Sequence, residues 1–101
     1  MKMNCIRVNI NDNVVTVIRD VTADEALVGK GVSAGIKTTS GLQMGHKAAV
    51  EEIRPGEKVI KYGEVIGYAS QIIKPGEHVH VHNFQRPGVE DHGFLISCAC
   101  P

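Results

Sequence analysis

The chain has 101 residues, 11 of them basic and 11 acidic, for a formal charge of zero. That length allows one domain with one modest core. Neither charge runs in a block, as a nucleic-acid binder would require, and no apolar stretch is long enough for a signal peptide or a membrane span.

Thirteen valines and ten isoleucines stand against three leucines, with eleven glycines and four prolines. β-Branched side chains suit the pleated surface of a sheet, and glycine and proline supply the turns between short strands. The composition therefore predicts a mainly β fold with little helix. Three cysteines without framework spacing point to a reducing, cytoplasmic setting.

In chain order, Ile6, Val8 and Ile10 alternate with Arg7 and Asn9, which predicts a half-buried strand over residues 5–10. Asn11-Asp12-Asn13 reads as a turn and residues 14–18 as the returning strand of a hairpin. Residues 29–45, rich in Gly, Ser and Thr, read as a long loop of the kind that carries function. An internal repeat is the most informative feature. Ile53-Arg54-Pro55-Gly56-Glu57-Lys58-Val59-Ile60 returns as Ile73-Lys74-Pro75-Gly76-Glu77-His78-Val79-His80. Proline presets φ at the second turn position and glycine accepts positive φ at the third, which predicts a type II turn at each Pro-Gly pair. Val21-Thr22-Ala23-Asp24-Glu25-Ala26-Leu27-Val28 is a degenerate copy, and a short helix opened by a Thr22-to-Glu25 capping box is its alternative. Tyr62-Gly63-Glu64 leads into a further strand over residues 65–69.

His78, His80 and His82 alternate with Val79 and Val81. On a strand, the three rings share one face and the valines take the core side. Alternate residues lie about 6.6 Å apart, so two neighbouring rings could meet at one metal ion, whereas the outer two, roughly 13 Å apart, could do so only with a bend. His80 and His82 are the candidate metal ligands, with His46, His92 or another chain completing the set. The alternative is a solvated or interfacial face of neutral imidazoles. His46 and Lys47, after Gly45, suit recognition of a carboxylate, as do Lys61, Tyr62 and Asn83; an ordinary loop entry into a strand is the alternative for His46 and Lys47, and a packed aromatic with a wetted hydroxyl for Tyr62. Cys98 and Cys100 read either as a metal clip or as two free thiols. No nucleophile elbow, phosphate loop or dinucleotide fingerprint is present.

The ordered set Asp12-Asn13-Val14-Val15-Thr16-Val17, Gly45-His46-Lys47-Ala48-Ala49, Val59-Ile60-Lys61-Tyr62-Gly63, Val65-Ile66-Gly67-Tyr68-Ala69 and Val79-His80-Val81-His82-Asn83 resembles the N-terminal SAF domain of the altronate and galactarate dehydratase family. It also resembles the alpha subunit of sulfolactate sulfo-lyase. The likeness covers roughly residues 7–83 of a single domain spanning 1–101; residues 84–101 depart from it. The resemblance implies a β-clip fold and a large catalytic dehydratase-like subunit as partner. It implies a small hydroxy-acid substrate and β-elimination to a 2-keto acid, with iron(II) or another divalent metal in the assembled enzyme. A domain this small cannot enclose a sugar acid alone, so activity is expected only in the assembly. A stand-alone metal-binding module and an oligomerisation domain are the competing readings, and a homo-oligomer is compatible with each.

Overall fold

The computed structural model describes residues 2–85, which form seven short strands and no helix. In chain order they are β1 (Cys5–Ile6), β2 (Val14–Val17), β3 (Lys47–Ala49), β4 (Lys58–Lys61), β5 (Glu64–Ala69), β6 (His78–Val79) and β7 (Phe84–Gln85). One antiparallel sheet runs β1-β2-β3-β6 and a second runs β4-β5-β7. The mainly β expectation holds.

Both Pro-Gly pairs form tight turns, with Gly56 at φ 86° and Gly76 at φ 91°. The degenerate copy makes the same turn, because Asp24 takes φ 64° where the others have glycine. That positive φ rules out the capped helix. The capping chemistry survives inside the turn instead. The Thr22 amide donates to Glu25 Oε1 at 2.8 Å, as the Arg54 amide does to Glu57 (2.8 Å) and the Lys74 amide to Glu77 (2.7 Å). A fourth copy, Leu42-Gln43-Met44-Gly45-His46-Lys47-Ala48-Ala49, was not visible as a repeat in the sequence, yet Gly45 sits at φ 92° in the same place. The copies pair two by two through their first residues, Val21 with Leu42 and Ile53 with Ile73. Each pair exchanges two backbone hydrogen bonds of 2.8–2.9 Å.

Two buried asparagines extend this order. Asn4 Nδ2 donates to Ala26 O and Asn4 Oδ1 accepts from the Val28 amide, both at 2.8 Å. Asn13 treats Lys58 O and the Ile60 amide in the same way at the same distances. Each side chain thus acts as one more strand residue on the sixth and eighth positions of a copy, satisfying backbone groups that would otherwise be costly to bury.

β2 separates two apolar clusters. Val14 belongs to one with Ile53, Val59, Ile73 and Val79; Val15 and Val17 belong to the other with Cys5, Leu27, Leu42 and Ala48. A sheet buried on both faces needs a nearly continuous apolar strand, as β2 is. The first strand, in contrast, differs from expectation. Pairing stops at Ile6, and Ile6, Val8 and Ile10 are 41%, 61% and 85% exposed while Cys5 is enclosed. Arg7 is the reason: its guanidinium donates to the carbonyls of Ile10, Asp12 and Gly31, winding residues 7–12 into a loop. A one-residue change of register also moves every side chain to the other face. Residues 29–45 are pinned rather than open, through the Ala26–Lys37 and Val21–Leu42 bridges, with Val32 and Ile36 against the second cluster.

Candidate functional site

β3 and β6 lie side by side, with Lys47 opposite Val79 and Ala48 opposite His78. Cross-strand partners project from the same face. Lys47 and Val79 therefore face the first apolar cluster, and His78 emerges on the opposite face with Ala48.

His46 takes the fifth position of the fourth copy, the one that starts at Leu42, where the other three copies carry the glutamate that closes the turn. An imidazole there does not return to the turn amide. Its Nδ1 instead shares a 2.9 Å hydrogen bond with His78 Nε2. His80 stacks on His46 with ring centroids 5.6 Å apart and planes 13° apart. His78 stands 5.3 Å from His80 and 5.8 Å from His82. Four imidazoles from two elements converge.

This convergence is not the straight strand that the alternation predicted. β6 ends at Val79, and residues 80–83 bend into a turn in which the Asn83 and Phe84 amides both donate to His80 O. Val81, expected on the core side, is 71% exposed as a result. The bend supplies what extended geometry could not, bringing the outer two rings together. Asn83 is 2% exposed, and its amide is occupied: Nδ2 donates to His78 O at 2.8 Å and Oδ1 accepts from the His80 amide at 2.9 Å.

The cluster has a marked electrostatic character. Burial pushes His78 down to about 4, helped by the positive charge that His46, His80, His82 and Lys47 would place around a protonated ring. Burial first, and then Lys47, His46 and His82, lower His80 as well. At neutral pH these two rings are uncharged and keep a lone pair, the form that takes a proton or ligates a metal. Imidazole nitrogen suits divalent iron, zinc, nickel or copper. Among the described residues, however, no group of three His, Cys, Asp or Glu side chains is disposed to hold an ion. The donors among the described residues therefore fit only part of a metal site.

The remaining candidates are split between places. Lys47 is buried, with Nζ 5.4 Å from the centroid of the Phe84 ring. Lys61 Nζ lies 4.9 Å from the Tyr62 ring, and the Tyr62 hydroxyl is 3.4 Å from Thr16 Oγ1. Thr16 is the cross-strand partner of Lys47. Lys61 and Tyr62 thus belong to the Lys47 face, across the sheet from the imidazoles. His92, Cys98 and Cys100 lie outside the described residues. His78, read in the sequence as one of three equivalent rings, proves to be the hub, touching the other three. The departure from Glu to His at position five of a repeat was the signal for His46, and it becomes legible once the fourth copy is recognised.

The family model for the altronate/galactarate dehydratase SAF domain matches residues 3–87. The altronate dehydratase of Bacillus subtilis is 42% identical over 78 residues, covering 77% of this chain and 15% of that protein. The altronate dehydratase of Escherichia coli is 39% identical over 84 residues, with 80% and 16% covered. The (2R)-sulfolactate sulfo-lyase subunit alpha of Chromohalobacter salexigens is 37% identical over 73 residues, and there the shares are 68% of this chain and 78% of that protein. The chain therefore spans about one-sixth of the altronate dehydratases it matches and most of the sulfo-lyase subunit.

Proposed function

We propose that this chain, which belongs to the altronate/galactarate dehydratase SAF domain family, is the small subunit of a sugar-acid dehydratase and works beside a large catalytic subunit. The reaction is β-elimination of water from a hydroxy acid to a 2-keto-3-deoxy acid. The convergence of His46, His78, His80 and His82 carries this reading. β-Elimination next to a carboxylate needs a base for the proton, help for the leaving hydroxide and positive charge for the acid group. His78 and His80, neutral imidazoles held close together, supply the first. Iron(II) or another divalent ion in the assembled enzyme would polarise the leaving group. His80 and His82 are the donors this chain offers to it, and the large subunit completes the set. Lys61 and Tyr62 stand apart from that cluster and would meet substrate or partner from the other face of the sheet, whereas Lys47 is buried and acts on the rings through its charge.

The test is reconstitution. The chain alone, assayed with altronate and galactarate in the presence of ferrous iron, shows no turnover, and activity appears on adding the large subunit. Changing His80 and His82 together to Gln leaves the fold intact and lowers the activity of the assembly by roughly 100-fold. Enzyme-like turnover by the chain alone sinks the small-subunit reading; a fully active double mutant removes the imidazoles from the chemistry. The 78% coverage of a sulfo-lyase alpha subunit favours a second reading, in which the assembly expels sulfite from sulfolactate. Including sulfolactate in the same assay separates the two.

A further inference from the structure

In an extended chain His78 and His82 would stand about 13 Å apart, because alternate residues advance about 6.6 Å. Their ring centroids are 5.8 Å apart. Something must hold residues 78–82 in the bend, and one side chain spans it. Asn83 Nδ2 donates to His78 O and Asn83 Oδ1 accepts from the His80 amide, joining the last strand residues to the far side of the turn. The same pattern occurs twice elsewhere. Asn4 grips the sixth and eighth residues of the first copy, and Asn13 those of the Pro55-Gly56 copy. His78 and His80 are the sixth and eighth residues of the Pro75-Gly76 copy. Where Asn4 and Asn13 hold stretches that end in valine and isoleucine, Asn83 holds one that carries imidazoles.

We propose that Asn83 is a positioning residue: its amide folds the histidine run back on itself and so assembles the cluster, and it does not hold substrate. The proposal rests on the reading of the cluster as the working surface. Both amide atoms are bonded to backbone and the residue is buried, so nothing of the side chain is left to face a ligand. Removing it leaves His78 O and the His80 amide without their partner, and only the Asn83 and Phe84 amides on His80 O are left to close the turn.

The experiment compares Asn83→Ala with Asn13→Ala in the isotopically labelled full chain. Asn13 makes the same two bonds on the Pro55-Gly56 copy, which carries no histidine, so it reports the purely structural cost of losing such a clamp. Asn83→Ala is expected to abolish the NMR ring-to-ring contact between His78 and His82 while Val14 and Val15 keep their place in the core. Asn13→Ala is expected to lower stability similarly and leave the ring contact in place. A ring contact that persists in Asn83→Ala, or disappears equally in Asn13→Ala, overturns the proposal. Should Asn83→Ala fail to fold, hydrogen exchange on the unaltered chain decides. The His80 amide should exchange at least roughly 100-fold more slowly than a free amide, and exchange at the free rate overturns the proposal. Activity of the assembled enzyme separates this from the premise: if Asn83→Ala spreads the rings apart and the enzyme stays active, the positioning role stands and the cluster has no part in the chemistry.

Discussion

Ile73 is fully enclosed, and it is also the residue through which two copies of the turn exchange their backbone hydrogen bonds. Cutting it to alanine removes buried methylenes and leaves a cavity between facing turns. Ile73→Ala should cost about 2–5 kcal/mol, read from the denaturation midpoint. His78 carries the residue-scale pH dependence. Its folded value of about 4 lies below the ordinary 6.5. Between those values the unfolded chain binds a proton that the folded chain refuses, so stability rises with pH. The contribution is complete above pH 6.5 and is lost as the pH falls through 4. The melting temperature should drop from pH 7 to pH 4.5, and less so in His78→Gln. Cys5, enclosed and raised to about 11, should resist thiol reagents until the chain unfolds.

The turn is the element from which this molecule is built, and its glycines are not equivalent. Gly56 and Gly76 share the same positive φ, but a Cβ on Gly56 meets open space while one on Gly76 runs into the Lys37 carbonyl. Gly56→Ala should therefore cost about 1 kcal/mol, from backbone conformation alone. Gly76→Ala should cost at least about twice that, since the segment around Lys37 must move; paired urea titrations measure the difference. Pro-Gly made two copies of the turn legible in the sequence. The Val21 copy was legible only as a degenerate one and the Leu42 copy not at all, because Ala23 and Met44 stand where the others have proline, and Asp24 supplies positive φ without being glycine. At Leu42 the veil was double, since His46 also replaces the closing glutamate.

At the scale of the molecule, β2 and β3 each contribute to both apolar clusters, Val14 and Ala49 to one, Val15 and Ala48 to the other. Neither cluster can be lost while the other keeps its wall. Ile73→Ala in the first and Leu27→Ala in the second should therefore lower one shared, single unfolding transition, coincident by circular dichroism and fluorescence of an extrinsic dye. The sequence by itself determined the mainly β class and the Pro-Gly turns, because branched side chains, proline and glycine act on their own backbone; His46 stood in it only as one of several ways to complete the histidine set. Tertiary structure decided which faces of these strands are buried and where each strand stops. Arg7, gathering three carbonyls, turned Ile6, Val8 and Ile10 outward. Asn83, bonded to both sides of a bend, replaced a row of rings with a cluster. Those bonds are made by single side chains to particular backbone atoms, and periodicity in a sequence carries no record of them.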